Sequence, residues 1–415
     1  MDTRLEDLKK SIKDRVIASL DFSKDISDEE MYGLIDKEMS GSFKDLMVPI
    51  SDRRRVRELV FHSIRKLDVL QQLIDDPKVT EIMVNGTDSI FIEKEGRLYR
   101  FNTRFESREK LEDVVQQIVA SCNRVVNESS PIVDARLSNG ARVNIVLTPV
   151  ALGGPVITIR RFPDEPITMG KLLELESLSE ELRDYLMILV KAGYNIFISG
   201  GTGSGKTTFL NALSDYIPKD LRVISIEDNA ELQIRGVPNL VRLEARNANV
   251  EGCKPITIRD LIKSSLRMRP DWLIVGEVRG GECVDMLQAM NTGHMAMSTG
   301  HSNSAADMLS RLETMSLMGM AELPLPAVRG QIAAGIDIIV HLGRLRDRSR
   351  KVLEIREVEN GLDREGKIVT NTLFRFEETG TDSKGRIKGE WKKEGNLKAR
   401  EKLIAAGLRL PSEEG

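Results

Sequence analysis

The segment Gly200–Thr207 constrains this chain more than any other feature, because it fits the pattern GxxxxGK[ST]. An apolar strand pattern, IFIS, precedes it, and a helical pattern, TTFLNAL, follows it. A glycine-rich turn between a strand and a helix lets backbone N–H groups converge on phosphate oxygens at the positive end of the helix dipole. We therefore predict a nucleotide-binding loop that consists of Gly200, Gly201, Thr202, Gly203, Ser204, Gly205, Lys206, Thr207 and Thr208.

Two side chains of this loop carry chemistry. Lys206 is expected to reach the terminal phosphates, and the Thr207 hydroxyl is expected to ligate Mg²⁺. A glycine-rich turn with an incidental lysine is the alternative, and the strand–loop–helix context disfavours it. The sequence therefore predicts a nucleoside triphosphate and Mg²⁺ as ligands.

The patterns around the loop predict an α/β domain. Four apolar strand patterns, NIFISG, RVISIE, WLIVGE and MAMST, alternate with helical ones between residues 182 and 315. Such alternation predicts a mostly parallel sheet that helices cover on both faces. Past Gly343 the chain changes to a charged strand pair, VLEIREVE and IVTNTLFRFEE, and then a short helix, LKAREKLIAAG.

The N-terminal part of the chain is patterned differently. Leucine, isoleucine and valine recur at helical spacing from Leu5 to Leu20, and residues 27–75 continue helical and charged. Strand patterns follow in VTEIMVNG, SIFIEKEG and RLYRF, with turns at Asn85–Gly86 and Glu95–Gly96, then a helix and a hairpin or meander. Since Pro163 and Pro166 mark a linker, we predict a helical extension (1–67), a smaller α+β domain (68–162), a linker (163–172) and the α/β domain (173–415).

Polar residues follow three further strands of the predicted parallel sheet. Glu227 and Asp228 end one, Glu277 and Arg279 follow another, and His301 follows the third. Ligands collect beyond the carboxyl ends of parallel strands, where a carboxylate can polarise a water or hold the shell of Mg²⁺. We predict Lys206, Glu227, Glu277 and His301 as catalytic residues; spacing leaves open which glutamate is the general base, and we favour Glu227.

The strand that carries Glu277 departs from the usual Walker B pattern, because Gly276 stands where an aspartate is expected. We therefore place Glu277 in the second shell of Mg²⁺ and assign direct ligation to Thr207, the nucleotide and water. In the stretch TGHMAMSTGH, Met295 and Met297 share one strand face and are predicted to be core. His301 is then a candidate γ-phosphate or interface sensor, and His294, at the opposite strand end, is predicted to be structural.

Composition excludes several classes of protein. A net charge of −3 with 4% aromatic residues disfavours the main alternative, a RecA-like motor that translocates nucleic acid. The basic clusters Arg53–Arg57 and Arg344–Lys351 are typical of solvated faces. Cys122, Cys253 and Cys283 are too far apart for a zinc knuckle. The charged N-terminus is not a signal peptide, and no apolar run reaches the ~20 residues of a membrane span, so we expect a cytoplasmic chain.

Several motifs resemble those of secretion ATPases. SIEDNAEL resembles their acidic "Asp box", RPDWLIVGEVRGGE their Walker B segment and TGHMAMSTGHSNS their "His box". VTEIMVNG, GARVNIVLTP, DMLQAMNTGH and LPLPAVRGQIA resemble the branch that drives Flp-type (Tad) pili, the CpaF family. The resemblance to this type II/IV secretion superfamily runs from about Asp68 to the C-terminus, and one departure is the segment STGHSNS, in which the family more usually has an apolar residue before the histidine.

The resemblance implies a RecA-like ATPase domain, ATP and Mg²⁺ as ligands, and assembly as a homo-hexamer. It implies a motor at the inner face of the cytoplasmic membrane that acts on platform proteins of a pilus or secretion system, with no nucleic acid partner. It also implies that Arg142, Arg160 and Arg161 reach the phosphates. Arg279, with Arg267 and Arg311, is expected to brace the carboxylates or to reach across a subunit interface.

Overall fold

The computed structural model describes residues 3–21, 26–43, 48–94, 96–122, 124–161, 166–246, 254–320 and 322–411. These residues form two compact units, one up to residue 161 and one from residue 166 onward. Three residues named above, Glu95, Pro163 and Cys253, lie outside the described residues. The predicted four-part division stays a prediction.

The first unit begins with three helices, α1 (Thr3–Ser19), α2 (Asp28–Ser42) and α3 (Ile50–Arg65). They pack around a core that includes Ile12, Ile35 and Val60. The N-terminus of α2 is a capping box, in which Ser27 and Glu30 bind each other's backbone N–H groups. This arrangement agrees with the predicted helical character of the region.

A six-stranded antiparallel sheet completes the first unit. A 3₁₀ turn (Asp68–Leu70) and α4 (Gln71–Ile74) lead into it. The other elements are β1 (Val79–Asn85), β2 (Ser89–Lys94), β3 (Arg97–Phe101), α5 (Arg108–Ser121), β4 (Ile132–Arg136), β5 (Arg142–Val146) and β6 (Val156–Arg160). The strand order is β3-β2-β1-β6-β5-β4, and apolar side chains of α5 and the strands share one core. The predicted strand series is present, and β4 is a strand that the pattern did not reveal.

The second unit contains a nine-stranded sheet with helices between its strands. Its elements in chain order are α6 (Met169–Glu174), α7 (Glu180–Lys191), β7 (Ile196–Gly200), α8 (Lys206–Ser214), β8 (Val223–Glu227), β9 (Leu240–Glu244), α9 (Ile258–Ser265), β10 (Trp272–Val275), α10 (Glu282–Asn291), β11 (Met295–His301), α11 (Ala305–Gly319), α12 (Leu325–Gly335), β12 (Ile338–Arg344), β13 (Arg350–Leu362), β14 (Ile368–Thr381), β15 (Ile387–Lys393) and α13 (Glu401–Ala406).

The strand order of this sheet is β15-β14-β13-β12-β7-β11-β10-β8-β9. All neighbours from β12 to β9 run parallel, and β13, β14 and β15 extend the sheet as antiparallel hairpins. The predicted α/β architecture with a mostly parallel sheet is confirmed.

Two cores lie on opposite faces of the parallel strands. Ile198, Ile274 and Met297 belong to the core under α7 and α8, whereas Phe197 and Ala296 belong to the core under α10, α11 and α12. Because every residue of β7, β8 and β10 is buried, these strands read as continuous apolar runs in the sequence. Because both faces of these strands are buried, their register is fixed, and so are the positions of the polar side chains at their carboxyl ends.

The sequence patterns did not predict four elements of the second unit. The strands β9, β12 and β15 and the helix α12 were not predicted, although β12 is a direct neighbour of β7. Part of the predicted linker is also helical, because α6 begins at Met169 and buries Met169 and Leu172 in the core of the second unit. In the part of the chain that the structure describes, no helix is both long and apolar enough to cross a bilayer.

Candidate nucleotide site

The predicted phosphate loop connects the carboxyl end of β7 to the first turn of α8. Gly205 precedes the helix with φ of 93°, a left-handed conformation that favours glycine. A Cβ on Gly200 would overlap the backbone oxygen of Leu342. The loop therefore passes closely over its neighbouring strand, and its shape depends on glycine at these positions.

Lys206 begins α8 and is only 7% exposed. Its Nζ donates to the backbone oxygen of Gly201 at 3.2 Å and to Nδ1 of His301 at 3.2 Å. Nε2 of His301 lies 3.1 Å from Oε1 of Glu277, and Oε2 of Glu277 accepts from Arg279 at 2.8 Å. Three predicted catalytic residues thus form one chain of polar contacts from the loop across β11 to the end of β10.

This chain of contacts defines the protonation state of His301. An ammonium group can only donate hydrogen bonds, so Nδ1 of His301 accepts from Lys206 and carries no proton. The ring proton then resides on Nε2 and faces Glu277. Burial and the positive charge of Lys206 both hold the pKa of His301 below its ordinary value. His301 is therefore a neutral imidazole at pH 7.

Glu277 remains ionised beside it. Burial acts to raise the pKa of Glu277, but the hydrogen bond and charge of Arg279 and the charge of Lys206 outweigh burial and lower the pKa. Arg279 also lies 3.9 Å from a carboxylate oxygen of Asp228. Arg279 therefore contacts carboxylates at the ends of both β10 and β8, and its role in the site stays a prediction.

Glu227 occupies a different environment. It is 3% exposed, and its Oε2 accepts backbone N–H groups from Glu231 at 2.7 Å and Leu232 at 2.8 Å. Its Oε1 is buried and has no hydrogen-bond partner among the described residues. Burial raises the pKa of Glu227 above its ordinary value. One oxygen therefore anchors the following loop, and the other is buried without a partner among the described residues.

The glycine in the Walker B segment has a steric cause. A Cβ on Gly276 would lie 3.1 Å from Cγ of Glu227 and 3.7 Å from its Oε2. An aspartate at position 276 would therefore compete with Glu227 for the same space. Glu227 fills, from the neighbouring strand, the volume that a Walker B aspartate would occupy.

The residues present fit a Mg²⁺-bound nucleotide. The loop joins a strand to a helix and contains glycines in the left-handed conformation at positions 203 and 205, and Thr207 lies directly after Lys206 in the first turn of α8. Among the described residues, no three His, Cys, Asp or Glu side chains group together as a metal site. Ligation of Mg²⁺ by Thr207 and the nucleotide, with Glu277 in the second shell, stays a prediction.

A cavity of about 620 Å³ opens beside the loop. Gly201 and Thr202 line one side, His301 and the two residues after it line another, and α11 lines the third. The α11 residues recur at helical spacing, and they are Asp307, Ser310, Arg311 and Thr314. Arg311, predicted from the family motif, therefore faces the same cavity as His301.

Arginines of the β12–β13 hairpin also contact the loop. Nε of Arg350 donates to the backbone oxygen of Gly203 at 2.8 Å. A guanidinium nitrogen of Arg344 lies 3.7 Å from the position that a Cβ on Gly203 would take. The arginines of Arg344–Lys351 are exposed, as the prediction of a solvated face requires, but Lys351 is 4% exposed and Arg350 also binds the loop. A run of charged residues in a sequence does not show which strands lie beside it. The contact with the loop depends on β12 pairing with β7, and β12 was not predicted.

The three arginine candidates of the first unit do not share one environment. Arg142 on β5 and Arg160 on β6 are direct cross-strand partners on one sheet face, and Glu81 lies opposite Arg160 on β1. Arg161 follows Arg160, faces the other way, and donates to the backbone oxygens of Asp76 and Val79. The structure brings Arg142 and Arg160 together and leaves Arg161 in a backbone-binding role.

His294 lies at the other end of β11. Its Nδ1 is 3.2 Å from the backbone oxygen of Ala289, near the C-terminus of α10, and this contact fits its predicted structural role. Met297 is fully buried, and Met295 packs against the same core. The predictions that the two methionines share one face and form core are confirmed.

Comparison with known proteins identifies the family of this chain. A model of the family described as "Type II/IV secretion system protein" matches residues 64–390. The chain is 32% identical over 305 residues to the conjugal transfer protein TrbB of Rhizobium radiobacter, covering 71% of this chain and 90% of TrbB. It is 30% identical over 332 residues to the type IV secretion system protein VirB11 of Brucella suis, covering 73% of this chain and 91% of VirB11.

Among solved structures, the ATPase DotB of Yersinia pseudotuberculosis is similar with a TM-score of 0.50 and 19% sequence identity. The similarity covers 71% of this chain and 78% of DotB. At this identity the likeness shows the fold alone, and it agrees with the predicted RecA-like architecture.

The contact between Lys206 and His301 gives a prediction that does not depend on activity. Replacing Lys206 by methionine removes a neighbouring cation, so the imidazolium form becomes less costly and the pKa of His301 rises. A pH titration of histidine ¹³C signals by NMR measures this, with His301→Gln to assign the signal. His62 serves as the internal reference, since its pKa is lowered by burial in the first unit and should not respond. An unchanged or lower pKa of His301 would contradict the contact.

Proposed function

Because the chain belongs to the type II/IV secretion system protein family, we propose that it is an ATPase that powers protein secretion or pilus assembly. The observation that supports this most is the convergence of Lys206, His301 and Glu277 beside the phosphate loop. A loop with this shape binds a nucleotide, and the adjoining ionised and neutral groups supply what hydrolysis of its terminal phosphate needs.

Lys206 is placed to exchange its present partners for phosphate oxygens. Lys206 is held by an uncharged backbone oxygen and a neutral imidazole, and phosphate oxygens are stronger partners for an ammonium group. On binding, Lys206 moves to the phosphates and Nδ1 of His301 loses its donor. His301 is then free to report on the γ-phosphate position. Mg²⁺, when bound, neutralises charge that develops on the phosphates.

We assign different roles to the two glutamates. Glu227 has a raised pKa and one oxygen anchored to the backbone, which suits an oriented general base. Glu277 has a lowered pKa and is already paired with Arg279, which suits a permanent anion near Mg²⁺. The two environments shift the pKa values of Glu227 and Glu277 in opposite directions, and such a difference is typical of two carboxylates with different roles.

The remaining parts of the proposal extend the family resemblance. We propose a homo-hexamer that acts on an inner-membrane platform, in a pilus system of the Flp/Tad type. We propose Arg142 and Arg160 as phosphate ligands, because the family resemblance assigns arginines of these segments to the phosphates and the two are cross-strand partners on one sheet face. Arg161 is the weakest of the three candidates, since backbone oxygens already bind it.

Matched glutamate variants test the assigned roles. Glu277→Gln should keep nucleotide affinity, lower the hydrolysis rate by about 100-fold or more, and raise the Mg²⁺ concentration needed for activity. Glu227→Gln keeps an oxygen that can accept the N–H groups of Glu231 and Leu232, so its loop should stay in place. It should also lose hydrolysis by about 100-fold or more, because an amide cannot take a proton from water. Steady-state phosphate release and nucleotide titration measure both variants.

The pH profile separates the two glutamates. A base must be ionised, so wild-type activity falls as pH drops through the pKa of Glu227, and burial places this fall at a higher pH than for an ordinary glutamate. The residual activity of Glu227→Gln should lack this acidic limb, and that of Glu277→Gln should retain it. Glu227→Ala is the companion variant that also removes the loop anchor. Wild-type hydrolysis by either glutamine variant would show that its assignment is wrong.

A motor that translocates nucleic acid is the alternative function. ATP hydrolysis measured as a function of oligomer size, with and without DNA, distinguishes the two. The secretion proposal predicts activity that rises with assembly and does not respond to DNA. Strong stimulation by DNA would favour the alternative.

A further inference from the structure

The hairpin that joins β12 and β13 carries four arginines and one aspartate in seven residues, 344–350. We call these residues the basic hairpin. Asp347 holds its tip in place, because its carboxylate accepts from the N–H and Oγ of Ser349 and from the N–H of Ile387 on β15. The basic hairpin is therefore a fixed structure and not a mobile charged turn.

Two arginines of the basic hairpin lie against the phosphate loop from outside. Nε of Arg350 donates to the backbone oxygen of Gly203, and its Cδ lies 3.3 Å from where a Cβ on Gly205 would be. The guanidinium of Arg344 lies beside Gly203 in the same way. Side chains on these glycines would meet the two arginines, so the loop and the basic hairpin are fitted to each other.

The order of the strands indicates which way a nucleotide would lie across the loop. The proposed catalytic residues His301, Glu277 and Glu227 end β11, β10 and β8, which all lie on one side of β7. The strands β12 and β13 lie on the other side of β7. A triphosphate that rests on the loop with its γ end toward His301 and Glu277 therefore extends its nucleoside end toward the basic hairpin.

We propose that the basic hairpin is the wall of the site that receives the nucleoside end of ATP and ADP, with Arg344 and Arg350 binding the ribose and base. This proposal rests on the proposed function. A guanidinium group matches it chemically, because its planar set of donors binds hydroxyl groups and can stack on a base. The two arginines then determine affinity for the part that ATP and ADP have in common, and not the rate of the chemical step.

The experiment measures Mg²⁺-dependent binding of ADP and of pyrophosphate to the full chain by titration calorimetry. Arg344→Ala and Arg350→Ala should each weaken ADP binding by about tenfold or more, since charged hydrogen bonds are lost. They should change pyrophosphate binding much less, because pyrophosphate lacks the nucleoside. The Michaelis constant for ATP should rise, and the turnover number at saturation should stay near the wild-type value.

Arg346→Ala is the matched control, since Arg346 lies in the same hairpin but pairs with Glu378. It should bind ADP like the wild type. Equal weakening of ADP and pyrophosphate in Arg350→Ala would overturn the proposal, because Arg350 would then act only by shaping the loop. Unchanged ADP affinity in both variants would overturn this proposal alone. No ADP binding by the wild-type chain would overturn it together with the proposed function.

Discussion

The contact between Lys206 and His301 determines how the rest of the site is arranged. A lysine that is 7% exposed must find partners, and the backbone oxygen of Gly201 is one of them. His301 supplies an acceptor nitrogen, which fixes its tautomer and turns its N–H toward Glu277. Glu277 in turn holds Arg279, which reaches Asp228 at the end of β8. One buried charge thus connects the ends of four strands.

The positions of Glu277 and Glu227 at these strand ends also explain why their pKa values shift in opposite directions. Glu277 belongs to the network of charges, and positive neighbours keep it ionised. Glu227 is buried against Gly276, where backbone N–H groups bind one oxygen and burial raises the pKa. A Cβ at position 276 would press on the side chain of Glu227, so glycine suits this close approach.

Much of this could be predicted from the sequence. Gly200–Thr207 revealed the loop, and two-sided burial of β7, β8 and β10 made the parallel strands readable as apolar runs. The basic hairpin could not be predicted, because its contact with Gly203 depends on β12 pairing beside β7, a partnership that no local pattern encodes. The roles of Arg160 and Arg161 also needed register, since adjacent strand residues face opposite ways.

The central claim is that this arrangement hydrolyses ATP, and release of inorganic phosphate by the purified chain tests it most directly. The account predicts release that saturates with ATP, requires Mg²⁺ and is abolished in Lys206→Ala, which should also lose nucleotide affinity. Two results would contradict it. One is equal phosphate release by the wild type and Lys206→Ala, and the other is a wild-type chain that binds Mg²⁺-ATP without turning it over in any oligomeric state.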